Sequence, residues 1–123
     1  MNIRPDRVGH LMHREIADIL EHKLRDPRVA SMVSVTDVEV TRDLSFARVF
    51  VSVLASGAER DRILAALQNA AGFVRHELSP RLGLREVPEL RFLLDESIEK
   101  GARVDDILRK LERGEPVEEG DEP

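Results

Sequence analysis

A chain of 123 residues with 41% hydrophobic and 35% charged residues sets the expectation of one domain with a modest core. It holds no cysteine, which excludes disulfides and thiolate metal sites, and no apolar run approaches the ~18 residues of a membrane helix. The net charge of −5 lies entirely in a tail over 112–123, where Glu112, Glu115, Glu118, Glu119, Asp121 and Glu122 face only Arg113.

The clearest helix comes first, over 6–25. Val8, Leu11, Met12, Ile16, Ile19, Leu20 and Leu24 recur at three- and four-residue spacing. Pro5 is placed as a first-turn proline, Asp6 suits the positive helix end, and Pro27 is expected to stop the helix. Val33 to Thr41 is a β-branched strand whose alternation slips at Thr36-Asp37, so a bulge is expected there. Arg42-Asp43-Leu44 is a short turn, and Phe46 to Leu54 the next strand, which makes an antiparallel hairpin.

From Glu59 the period is helical again. Ile63, Leu64, Leu67, Ala70, Ala71, Val74, Leu78 and Leu82 form one stripe that keeps phase through Gly72. An interior glycine costs about 1 kcal/mol relative to alanine, so Ala70-Ala71-Gly72 reads as a bend rather than a helix end. Pro88 opens a third strand, Glu89 to Asp95; Ser97 to Gly101 is a turn. Val104, Ile107, Leu108 and Leu111 suggest a short last helix. The order is α-β-β-α(kink)α-β with a C-terminal helix, a two-layer α+β domain over 1–111 followed by an acidic, disordered tail over 112–123. The long connection before the third strand allows it to lie parallel to a neighbour. The polar start, Met1 to Asp6, carries no secretory h-region, which fits a cytoplasmic chain.

That element order matches the type II KH fold, an architecture for single-stranded RNA whose usual GxxG loop clamps backbone nucleotides. Here no GxxG stands between the helices. Ala70-Ala71-Gly72 stands there instead, and this substitution resembles the ribosome-binding factor A family, in which an AxG kink replaces the loop. "RDPRV" (Arg25 to Val29), "TRDLSFARVFVS" (Thr41 to Ser52), "AAGFVR" (Ala70 to Arg75) and "VPELRFLLDESIEKG" (Val87 to Gly101) carry the resemblance in order. It implies a non-enzymatic factor that associates with the free 30S small ribosomal subunit late in assembly. It further implies support for 5′-end maturation of 16S rRNA, a link to cold adaptation, and release helped in some bacteria by an assembly GTPase. No cofactor is implied, and a monomer is the default. The short acidic tail departs from relatives with a longer basic one.

Binding to rRNA needs cations along a phosphate path. With no Trp, no Tyr and four Phe, an aromatic base-stacking platform is not expected; Phe73 and Phe92 read as core by their spacing, and packing is the preferred reading for Phe46 and Phe50. The candidate RNA contacts are Arg4, Arg7 and Arg14 on the first helix, Arg75, Arg81 and Arg85 after the kink, and Arg28 and Arg42 in connecting turns. Each also reads as an ordinary solvated charge. Gly72 has two readings, close approach of an RNA backbone to the following helix or tight packing of small residues, and packing is preferred. Two rivals remain. An enzyme or metal site would have to use His10, His13, His22 or His76, which lack the HExxH spacing or a carboxylate set. An interaction module would dock on a ribosomal protein or GTPase.

Overall fold

The first apolar stripe folds as helix α1, Pro5–His22, with Val8, Met12, Ile16, Ile19 and Leu20 buried on one face. The computed structural model describes residues 5–97 and 108–114. Arg4, Val104, Ile107 and most of the turn after Ser97 therefore lie outside the described residues, as does most of the acidic tail; 108–112 are helical. Pro27 does not end α1, as expected, but opens a second helix, α2, Pro27–Met32. Asp26 is its cap: Oδ1 accepts the Arg28 N–H at 2.9 Å, and proline tolerates the first helical turn because its missing donor has no partner there.

Strands β1, Val33–Val40, and β2, Phe46–Val53, pair antiparallel, with the expected irregularity between Val35 and Asp37. The hairpin turn is built around Asp43. Its Oδ1 accepts from the Thr41 hydroxyl at 2.8 Å and from the Ser45 hydroxyl at 2.7 Å, while Leu44 takes φ 60°. These bonds, the one from Ser45 first, hold the Asp43 carboxyl below the usual carboxylate range. Strand β3, Glu89–Leu94, lies parallel to β2, giving a three-stranded sheet in the order β1-β2-β3. Thr36, at the irregularity in β1, donates to Asp95 Oδ2 at 2.5 Å, so β1 is tied to the residue after β3 across β2, at the level of Phe50 and Val51.

The core lies between one sheet face and the helices: Met12, Ile16 and Ile19 meet Ala47, Val49 and Val51, with Phe92 beside them. Phe46 and Phe50 alternate with these residues and occupy the opposite face, half-buried. Helix α3, Gly57–Asn69, and helix α4, Ala71–Leu82, continue the same stripe, burying Ile63 and Leu67, then Val74, Leu78 and Leu82. They are separate helices. The break is at Ala70, with φ −86° and ψ −1°, and its N–H is shared between the Ala66 and Leu67 carbonyls at 3.0 Å each.

Gly72 therefore lies one residue inside α4, exposed, and a methyl group there would meet nothing within 4 Å. The packing reading of Gly72 does not hold. The glycine that permits close packing is Gly9, in α1, where a Cβ would fall 2.9 Å from the Val38 carbonyl oxygen of β1. That oxygen belongs to a strand in the sheet and cannot rotate away as a side chain would. Gly9→Ala is expected to destabilise the fold by about 1–3 kcal/mol through overpacking. Gly72→Ala is expected to leave stability unchanged or raise it by up to about 1 kcal/mol. Urea unfolding of the two variants checks the opposite signs.

Candidate nucleic-acid interface

The expected arginines divide into two groups. Arg75 is committed internally: its Nε–H and Nη2–H both donate to the Val87 carbonyl, at 3.0 and 2.7 Å, which fastens the loop before β3 to α4. Arg81 is committed too. Its Nη1–H reaches Glu15 Oε2 at 3.1 Å and Asp18 Oδ2 at 2.6 Å, clamping α4 to α1, with the Arg81 side chain only 23% exposed. Arg7, Arg28, Arg42 and Arg85 are exposed on α1, on α2, in the hairpin turn and in the loop before β3. Arg14 is exposed and reaches Glu15 only at 4.0 Å, so Glu15 stands between Arg14 and Arg81. Arg4 lies outside the described residues. Sequence spacing could not separate these groups, because which arginine meets a carboxylate depends on how α4 crosses α1.

One backbone group on the outer edge of β3, and one in the loop before it, are also occupied. The Phe92 N–H donates to Gln68 Oε1 of α3 at 2.9 Å, and the Val87 carbonyl is held by Arg75. An extended ligand seeking these two groups finds them occupied. Gly72, Arg75, His76 and Ser79 of α4 face Glu86 and Val87 across a shallow groove. His13 is not available as a metal ligand at Nε2, which donates to the Val35 carbonyl at 3.0 Å. Among the described residues no three His, Asp or Glu side chains converge as a metal site, and no described helix is long and apolar enough to cross a membrane.

Phe73 departs from expectation. It is 43% exposed, not core: the buried face of α4 is Val74, Leu78 and Leu82, and Phe73 stands off it, beside α2 and the connection that precedes it. Phe92 is core, as its spacing implies. The bases near Phe73, Lys23 and Arg25, together with Arg62 of α3, were not singled out by the sequence pattern. Lys23 and Arg25 lie in the connection between α1 and α2 and Arg62 lies in α3, segments that sequence spacing does not bring together.

A family model described as ribosome-binding factor A matches residues 4–108. This chain belongs to the ribosome-binding factor A family. It is 45% identical over 111 residues to a ribosome-binding factor A of Desulforamulus reducens, covering 90% of this chain and 92% of that one. It is 45% identical over 114 residues to that of Staphylococcus epidermidis, covering 93% and 97%. The crystal structure of ribosome-binding factor A from Thermus thermophilus superposes with a TM-score of 0.65 at 25% identity, covering 75% of this chain and 97% of that one. A Thermus thermophilus ribosome-binding factor A model, fitted into a cryo-EM map of a complex with the 30S subunit, superposes with a TM-score of 0.57 at 26% identity, covering 72% and 96%. The KH-like α+β architecture expected from the element order is thus the architecture of the ribosome-binding factor A family. The matched span contains the kink and all eight expected arginines and stops before the acidic tail.

In this member of the family, the clamp between α1 and α4 titrates with acid. The hydrogen bond from Arg81 holds the Asp18 carboxyl below the usual carboxylate range, and the same contact raises Arg81. A carboxylate with a depressed folded-state pKa contributes stability that is complete above its unfolded value and is lost as pH falls through the folded one. Arg81→Gln is therefore expected to lower stability at neutral pH and to flatten the loss of stability below about pH 4. Thermal melts of both proteins across that range check it.

Proposed function

We propose that this chain binds the free 30S small ribosomal subunit late in its assembly, through phosphate and shape contacts to rRNA, and supports maturation of the 5′ end of 16S rRNA. The observation that carries this reading is membership of the ribosome-binding factor A family, together with likeness to a relative fitted into a 30S complex. The physical chemistry of the surface agrees. Arg42 is presented on a turn held by three side chains, and Arg7 and Arg14 on a long helix, so little ordering entropy opposes phosphate contact at these positions. The Phe92 N–H and the Val87 carbonyl are already bonded within the chain, so neither is offered to a nucleotide.

On this reading the chain is a monomeric, cytoplasmic binding factor rather than an enzyme and needs no cofactor. The 5′-terminal helix region of 16S rRNA is its site of action, cold adaptation its physiological setting, and an assembly GTPase its means of release. Sedimentation with separated ribosomal particles tests it: comigration with free 30S subunits and not with translating ribosomes is expected, and no comigration at low salt would contradict it. Binding only to particles that retain their proteins, and never to protein-free rRNA, would favour an adaptor that docks on ribosomal proteins.

The division of the arginines gives a sharper expectation. Arg7→Gln, Arg14→Gln, Arg42→Gln and Arg85→Gln, where they remove a phosphate contact, weaken subunit binding and each lower the salt slope by about one. Arg75→Gln and Arg81→Gln show their main effect in the urea midpoint instead. Binding isotherms at several salt concentrations, set beside unfolding curves, separate the two classes.

A further inference from the structure

We propose that the cleft on the α1–α2 side of the kink holds one unpaired nucleobase of RNA, stacked on Phe73, with the flanking phosphates on Lys23 and Arg25; this rests on the rRNA-binding reading above. The cleft has a volume of about 400 Å³ and almost wholly apolar walls. This volume lies in the range of small-ligand sites, about 300–1,000 Å³. Leu24 and Val29 form one wall, and Leu67 and Ala70 the other. Phe73 lies at the opening with nearly half its surface exposed. An aromatic ring beside an apolar slot is what a base requires for stacking, and stacking tolerates any base because each has a π-face.

Charge at the rim selects RNA over an apolar protein side chain. Lys23 and Arg25 border the cleft, and a shallower trough that shares Asp26, Val29 and Ala66 with it adds Arg28 and Arg62. The acids there are Asp26 and Glu59. Asp26 is already held as the cap of α2 by the Arg28 N–H. Two bases thus border an apolar slot and two more line the adjoining trough, the pairing of apolar surface and positive charge that single-stranded nucleic acid sites combine. The slot lies on a different face of α4 from the groove lined by Gly72, Arg75 and Glu86.

The test uses the full chain and hexaadenylate RNA. Titration followed by NMR is expected to shift the Leu24 and Val29 methyl groups and the Phe73 ring. Phe73→Ala, which removes the stacking surface, and Ala66→Met, which fills the slot from an exposed helical position, are each expected to weaken hexaadenylate binding about fivefold or more with the melting temperature retained. Shifts confined to other surfaces, or unchanged affinity in whichever of these variants folds, would overturn the proposal. Weaker binding of both variants to 30S subunits with no hexaadenylate shifts in the cleft would also overturn it and assign the slot to a protein side chain. If hexaadenylate fills the cleft but the wild-type chain fails to sediment with free subunits, the nucleotide site stands and the ribosomal reading falls.

Discussion

The break between α3 and α4 decides which neighbours each of the two helices meets. Laid end to end, the 13-residue α3 and 12-residue α4 would run about 38 Å, whereas the eight-residue β1 and β2 span about 26 Å. A straight helix would overshoot the sheet and leave part of its apolar stripe in water. With the turn at Ala70, both halves pack against β3. The turn also points them at different neighbours: α3 places Gln68 on the edge of β3, and α4 carries Arg75 to the following loop and Arg81 to α1. Ala70 and Phe73, at and just after the turn, line a cleft beside α2.

A second constraint is the distance between α1 and β1. Gly9 lets the helix backbone settle onto the Val38 carbonyl, and His13 donates to the Val35 carbonyl from the same face. Val8, Met12, Ile16 and Ile19 then reach fully into the core. The arginine clamp from α4 holds α1 from its other side. Stability and surface chemistry are therefore shared out among arginines of one kind: those bound to carboxylates or carbonyls hold the frame, and those left exposed face the solvent on rigid elements.

Much of this was legible in the sequence where one period governs one element. The stripe of α1, the slip at Thr36-Asp37, the alternation of β2 and the phase-keeping stripe through α3 and α4 each follow from local spacing. What was not legible depends on where elements meet. Nothing local marks Gly9 as the close approach, because it lies within an ordinary helix pattern, while Gly72 draws notice as an irregularity and has open space around it. Asp26-Pro27 reads equally as a stop and as a start, and the cap hydrogen bond decides for a start. Phe73 reads as core by its spacing, but it lies off the buried face that Val74, Leu78 and Leu82 form. The KH-like order was readable, and the absence of GxxG warned against assuming a backbone clamp.

On the proposed function, this body meets rRNA directly, through exposed arginines. Ultraviolet cross-linking of the chain to purified 30S subunits, with the linked peptides identified by mass spectrometry, reads that contact without an intermediate. The expected result is nucleotide adducts on peptides carrying the exposed arginines, such as Arg14 or Arg42. Adducts confined to ribosomal proteins, with no nucleotide joined to any peptide of this chain, would contradict it.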